Sequence, residues 1–304
     1  MGAIVVKYIG GIKPRPYTEP WGGTVATNDA YLKAFNNDTE FIIDAKFRHQ
    51  LKTVDEIKDF IAGGDILHID DTTVVEMVLN AGILPDVIGP IARSPLKQYK
   101  GWTCPYKAID FYKAKIIRLN YAEEADNHEL VTLIRHGTDS KMLRPSTLNK
   151  KYILWAGDGQ RYAKNYEMWQ EIKKITTLPQ GYEWKELTKY SVQDYWNVLN
   201  ETALLINTSR FESFCAAMAE ARCKEVPVIY KKDLHGQVQQ DGKIQVEYEP
   251  FYYKLVIEGL LNNPPKLLEE GKASRQYIIK NHSLKAMRDD IAKVYMEVIN
   301  EKLR

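Results

Sequence analysis

Short apolar runs separated by longer amphipathic ones constrain this chain more than any other feature. "AIVVKYIG", "TEFIIDA", "DILHID" and "DVIGPIA" read as strands, while "TVATNDAYLKAF", "TVDEIKDFIA" and "TTVVEMVLNAG" between them read as helices. Parallel strands need a crossover to return, so strand and helix taking turns points to a parallel sheet covered by helices. "AKIIRLN" and "VTLIRHG" extend the first series.

The pattern is interrupted in "SKMLRPSTLNKK" by Pro145, Ser146 and Asn149, then restarts with "YILWAGDG", "NYEMWQEIKKIT", "YEWKELT", "SVQDYWNVLNE", "TALLINTS", "ESFCAAMAEARCK" and "PVIYKK". A length of 304 residues with 44% apolar content suits two cores. The expected division is a first domain over 1–147, a second over 148–283, and a closing helix over 284–304 that packs back on the first. Apolar spacing makes the stretch from Pro264 to Arg304 helical throughout, with Met287, Ile291, Val294, Tyr295 and Val298 on one face. The expected fold class is α/β, with two Rossmann-like doubly wound domains and a ligand cleft at the carboxyl ends of their strands.

Composition removes several function classes. Forty-two basic residues against 40 acidic ones leave a net charge of +2, with no basic stripe to announce nucleic acid. Cys104, Cys215 and Cys223 are an odd number without a C-x-x-C pair, which argues against a disulfide framework or a zinc site and for a reducing, cytoplasmic compartment. No apolar run reaches ~18 residues, the N-terminus lacks a secretory h-region, and Gly2 lacks the Ser or Thr of a myristoylation signal. A soluble or at most peripheral protein is expected. The G-x-x-x-x-G-K-[ST], H-E-x-x-H and G-x-S-x-G patterns are all missing, so ATPase, zinc protease and serine hydrolase readings have no support.

The stretch "FESFCAAMAE" carries Glu212 and Glu220 eight positions apart. Glu212 falls at or before a helix start whose first unpaired amides would belong to Ser213, Phe214 and Cys215, a setting that suits a phosphate. Glu220 would lie roughly 80° round and about 12 Å along that helix, too far to share a proton or a metal with Glu212. Either the two carboxylates grip different parts of one extended ligand, or Glu212 is an ordinary helix-start acid and Glu220 a solvated one, with Ala216, Ala217, Ala219 and Ala221 allowing close packing. Spacing alone leaves both readings open.

"TSRFESFCAAMAEARCKEVPVI" resembles the E-x7-E signature of retaining glycosyltransferases of family 4, with Ser209, Glu212, Phe214, Glu220, Ala221, Pro227, Val228 and Ile229 in matching places. Cys215 and Glu225 stand where that family usually has glycine. "WGGTVATNDAYLKAF" is similar to its early glycine loop, where Gly22 and Gly23 would let backbone amides approach a phosphate or sugar. "DILHID", "VTLIRHGTDSKMLRP" and "HSLKAMRDDIAKVYMEVI" resemble further family segments in the same order. The resemblance implies a GT-B fold, with a nucleotide-sugar on the second domain and an acceptor on the first.

It also implies residue roles. Glu212 would hold donor-sugar hydroxyls as the catalytic carboxylate, and Glu220 the nucleotide ribose. Donor sugar and diphosphate would be met by Gly22, Gly23, Ser213, Phe214 and Cys215. Asp158 occupies the place of a basic residue the family usually carries there, which leaves Arg161 and Lys164 to face the diphosphate. "DVIGPIARSP" lacks the histidine many members have at that strand end. His68, one strand earlier, and Arg93 are the acceptor-side candidates, and His136 reads as structural.

The expected reaction moves a hexose or related sugar from a nucleoside-diphosphate sugar, UDP first among the nucleotides, to an acceptor hydroxyl with retention. Neither a cofactor nor a metal is called for. The alternatives are a sugar-nucleotide epimerase of the same fold and a non-catalytic nucleotide-sugar binder. Basic and aromatic residues interleave in "ARSPLKQYKGWTCPYKAIDFYKAK", a pattern compatible with a glycan, a lipid-linked sugar or a modified DNA base as acceptor, with peripheral membrane contact, or with a solvated connection. Lys13, Tyr17 and Trp21 read as a loop over the site's mouth.

Overall fold

The structure is a computed structural model that describes residues 2–20, 23–70, 72–91, 114–118, 131–212, 214–232, 234 and 244–304. Two compact units emerge. The first comprises Met1–Pro14, Gly22–Gly137 and Leu284–Arg304, and the second Arg15–Trp21 and Thr138–Ser283.

The first unit is built on β1 (Ile4–Gly10), β2 (Phe41–Phe47), β3 (Ile66–Ile69), β4 (Val87–Ile91), β5 (Lys115–Arg118) and β6 (Val131–Leu133). They lie in the order β2-β1-β3-β4-β5-β6, every pair parallel. Alternation along β1 sends Val6 and Tyr8 to one face, where Tyr31 and Phe35 of helix Gly23–Ala34 and Met287, Ile291 and Tyr295 of helix Leu284–Lys302 cover them. Ile9 faces the other way, onto Ile57 and Phe60 of helix Val54–Ile61 and Val74 and Val78 of helix Thr72–Asn80. Thr53 starts the helix Val54–Ile61 by accepting from the Glu56 amide, and Glu56 answers on the Thr53 amide, a capping box.

The second unit repeats the plan with β7 (Tyr152–Ala156), β8 (Glu183–Leu187), β9 (Thr202–Ile206), β10 (Val228–Lys231) and β11 (Gln245–Val246), in the order β11-β10-β9-β7-β8 and again parallel. Strand β9, "TALLI", is buried at every position, as a central parallel strand covered on both faces must be. Leu154 and Leu205 pack toward helices Val192–Leu199 and Ala216–Cys223, while Ile153, Trp155, Leu204 and Ile206 pack toward helices Tyr166–Ile175 and Pro250–Leu261. Both units are therefore doubly wound. Strand order reverses beside β1 in one and beside β7 in the other, which sets a ligand-binding switch point at β1/β3 and at β7/β9.

Three details differ from the sequence expectations. Residues 138–147 belong to the second unit, not the first: Leu143 is buried in its core and its carbonyl accepts from Arg275 at 2.9 Å. The stretch from Pro264 is not one helix but two, Pro264–Asn281 and Leu284–Lys302, because the His282 carbonyl turns out to accept from Thr138 N–H at 2.7 Å and Ser283 bridges to Thr138. Helix Pro250–Leu261 and the two-residue β11 were not anticipated.

Candidate functional site in the second unit

At the carboxyl end of β7 the chain leaves the sheet through Gly157, makes a short turn at Tyr162–Lys164, and enters helix Tyr166–Ile175 through Asn165 in a left-handed conformation (φ 46°). At the end of β9 it runs through Asn207 to Glu212 before helix Ala216–Cys223. These are the two strand ends flanking the switch point. Hydrogen bonds lace the loops together: Arg210 N–H donates to Ala163 O at 2.8 Å, and Thr208 Oγ1 donates to Lys164 O at 2.8 Å while accepting from Trp155 Nε1 at 2.9 Å. Tyr248 and Tyr253 add hydroxyl donors to the carbonyls of Thr208 (2.7 Å) and Asn207 (3.0 Å).

Held this way, the Lys164 ammonium and the Glu212 carboxylate form an ion pair with little exposure on either side, and Ser209 Oγ donates to the same Glu212 oxygen at 2.6 Å. Burial alone would push the Glu212 carboxyl up, but the Lys164 charge outweighs it and holds it below the ordinary glutamate range. Burial works against the Lys164 charge too, and the Glu212 carboxylate reverses that and raises it. Both groups stay ionised. The arrangement pairs a cation able to meet phosphate oxygens with a carboxylate able to accept from hydroxyls, in a mostly buried setting where each interaction counts for more.

Cys215 takes the N-cap of helix Ala216–Cys223 with φ 62° and ψ 73°. The helix thus begins at Ala216, beyond the stretch where sequence placed its first free amides, because the left-handed Cys215 cannot be its first turn. Its buried thiol accepts from Asn207 Nδ2 at 3.4 Å and is pushed up to about 12 by burial, which makes it an inert packing group. Phe214 is buried, its ring 5.5 Å from that of His282.

Glu220 lies on the same helix and accepts from Trp196 Nε1 at 3.0 Å. The Trp196 indole in turn packs against Tyr17, ring centroids 4.7 Å apart. Tyr17 belongs to the segment Arg15–Trp21, which docks by backbone: the carbonyls of Tyr17 and Glu19 accept from Gln193 and Val192 at 2.8 and 3.3 Å, the first amides of helix Val192–Leu199. Neither Trp196 nor its tie to Tyr17 was foreseen. The one available signal was the indole N–H, a donor that needs an acceptor wherever it is buried.

The other sequence candidates fall as follows. Arg161 is exposed, its N–H on the Asp158 carbonyl at 3.0 Å. Glu186, at the end of β8, is engaged by Tyr166 (2.7 Å), Trp169 (2.8 Å), Gln170 (3.2 Å) and Lys173 of one helix, and these donors overcome burial to hold it at about 2. Burial raises the Tyr190 phenol, which lies in the fields of Lys164, Glu220, Cys215 and Glu212. In the first unit Gly23 opens its helix, His136 is buried against Thr27 Oγ1 (3.2 Å) and the Gly137 carbonyl (2.8 Å), and His68 is fully buried. His68 Nε2 donates to the Gly89 carbonyl at 2.5 Å, which leaves Nδ1 to accept from Tyr295 at 2.6 Å. Gly22, Arg93 and Ser213 lie outside the described residues. Among the described residues no three His, Cys, Asp or Glu side chains are grouped to hold a metal ion, and no helix is long and apolar enough to cross a membrane.

No family profile matches the sequence, and no curated protein matches it. Solved structures do match over nearly the whole chain. Sucrose-phosphate synthase from Thermosynechococcus elongatus superposes with a TM-score of 0.70 at 14% identity, covering 98% of this chain and 100% of that one. HepE of Anabaena, solved with UDP-glucose, gives 0.71 at 12% identity over 97% and 100%. An alpha-glucosyltransferase solved with UDP and a 13-mer DNA containing an HMU base gives 0.64 at 10% identity over 98% and 100%. Two parallel-sheet α/β units and this likeness together establish the GT-B fold.

Proposed function

We propose that the chain is a glycosyltransferase that moves a hexose or related sugar from a UDP-sugar to an acceptor hydroxyl with retention at the anomeric carbon, as family 4 enzymes do. The observation that carries this reading is the Lys164–Glu212 pair at the β7/β9 switch point, the place where an open α/β sheet receives its ligand. Support comes from the likeness to structures solved with UDP and UDP-glucose.

In this reading Lys164, with Arg161 and the amides at the start of helix Ala216–Cys223, meets the diphosphate as it departs, and Glu212 accepts from donor-sugar hydroxyls. Ser213, Phe214, Cys215, Gly22 and Gly23 are assigned to the donor sugar and diphosphate. Glu220 accepts from the ribose. Attack comes from the face the diphosphate leaves: the acceptor oxygen bonds the anomeric carbon as the bond to phosphate breaks, and the departing phosphate oxygen takes the acceptor proton. No protein nucleophile is required, unlike the two-carboxylate glycosidase scheme. The reading needs no cofactor or metal and expects a cytoplasmic enzyme, soluble or peripheral. The acceptor is a glycan, a lipid-linked sugar or a modified DNA base, with Arg93 on the acceptor side; His68, fully buried with both ring nitrogens bonded to Tyr295 and Gly89, is a structural residue and not an acceptor contact.

Incubation with UDP-glucose and each acceptor class, read as UDP release and as the anomeric configuration of the product, tests this. Acceptor-dependent UDP release with an α-linked product supports it. A change in the sugar without UDP release makes the chain an epimerase, and binding with neither makes it a non-catalytic binder.

A further inference from the structure

A carboxylate that accepts only can serve a ligand hydroxyl, but two freely rotating oxygens do so poorly, because the ligand must then order the side chain as it binds. In this structure the Glu220 carboxylate is not left to rotate. Trp196, buried on the neighbouring helix Val192–Leu199, gives its indole N–H to Oε2 at 3.0 Å. An indole is rigid and donates in one direction, so this bond restrains where Oε2 can sit. Tyr17 backs the indole, ring centroids 4.7 Å apart, and is itself anchored by the two carbonyls that Tyr17 and Glu19 place on the first amides of the same helix. A segment far away in sequence thus backs the donor to one acid.

We propose that Trp196 is a positioning residue for nucleotide binding, its indole N–H aiming the Glu220 carboxylate at the ribose hydroxyls while Tyr17 holds the indole in place. This rests on the reading of Glu220 as the ribose contact. The role is specificity: a fixed acceptor rewards a ribose hydroxyl and is left unpaired when that hydroxyl is missing.

The test is calorimetry of the full chain with UDP, 2′-deoxy-UDP and 3′-deoxy-UDP. Wild type is expected to prefer UDP over at least one deoxy analogue by about 10-fold or more. Trp196→Phe keeps the ring and removes the N–H, and should bring that ratio below about 3-fold while its thermal midpoint shows a folded protein. Tyr17→Ala should lower the ratio as well, and Tyr17→Phe should restore it. An unchanged ratio in both Trp196→Phe and Tyr17→Ala overturns the proposal. Glu220→Ala separates the two levels: if it abolishes the ratio while Trp196→Phe does not, Glu220 touches ribose and Trp196 merely packs; if it too leaves the ratio unchanged, the ribose reading of Glu220 fails and the positioning role fails with it.

Discussion

His68 and Tyr295, 227 positions apart, share a buried 2.6 Å hydrogen bond whose direction the surroundings dictate. The Gly89 carbonyl can only accept, so Nε2 carries the imidazole proton and Nδ1 is the acceptor. Tyr295 then donates to His68 and accepts from Tyr31, 2.6 Å away. The result is a one-way chain from helix Gly23–Ala34 through the last helix to strand β4.

Burial holds the His68 imidazole down to about 4, against an ordinary value of 6.5, in spite of the opposing bond to Gly89. The unfolded chain therefore binds a proton below about pH 6.5 that the folded chain refuses until about pH 4, and stability must fall as pH drops through that window. The expected slope from this residue is about 1.4 kcal/mol per pH unit. Nitrogen NMR should show a neutral Nε2–H imidazole at pH 5.5, and an imidazolium there would contradict the assignment.

Removing one member of the Lys164–Glu212 pair leaves the other charged and poorly solvated. Glu212→Gln should cost of order 2–3 kcal/mol, somewhat less than for a fully enclosed pair because both side chains keep some exposure. The double variant Glu212→Gln with Lys164→Met should be less destabilised than the sum of the singles, since it leaves no orphaned charge. Urea unfolding of all four proteins measures the coupling, and additivity would show that the pair is not electrostatically closed.

Cys215 and Glu225, which stand where the glycosyltransferase signature that this stretch resembles has glycine, both sit in the left-handed region, at φ 62° and 57°. Glu225 closes helix Ala216–Cys223 in a Schellman turn, with Val226 N–H on Ala221 O and Glu225 N–H on Arg222 O, both at 3.0 Å. Glu225→Gly should accordingly stabilise the protein by about 0.5–1 kcal/mol, read as a rise in Tm. Cys215→Val, which forces a β-branched residue into that region, should lower it.

Helix Pro264–Asn281 approaches this same turn at Gly271, where an added Cβ would stand 2.4 Å from the Glu225 carbonyl oxygen. That obstacle is backbone and cannot swing away. Gly271→Ala should destabilise by about 2 kcal/mol or more, measurable in the same unfolding assay, whereas Gly259→Ala, with nothing near its Cβ and a place in helix Pro250–Leu261, should be neutral or stabilising.

The strands and helices of both sheets were legible because their apolar periods differ, and a run such as "TALLI" has no other use than a strand buried on both faces. Loops and seams were less so. Pro145, Ser146 and Asn149 look like a boundary, but Leu143 just before them is already part of the second core. In "IIKNHSLKAM" Ser283 just before Leu284 is a residue type that starts helices, but the apolar spacing runs on through it, and the Thr138 amide that takes the His282 carbonyl comes from far away in the sequence. For the site, Glu212 and Lys164 were readable as chemistry, while Trp196 reads as one more apolar residue on an amphipathic helix until its N–H is traced to Glu220. Long-range donors and acceptors are paired only by the finished fold.

Because helix Leu284–Lys302 belongs to the first unit, synthesis on the ribosome sets the order in which the two cores close. Met287, Ile291, Val294, Tyr295 and Val298 complete a core begun by Val6 and Tyr8, so the unit whose strands emerge first is finished last. The second unit, made between these two ends, has its whole sheet and its covering helices translated before that closing helix appears. During that interval the apolar face of β1 has Tyr31 and Phe35 over it but lacks the rest of its cover, and a nascent chain stalled just short of residue 284 should be the species most dependent on chaperones.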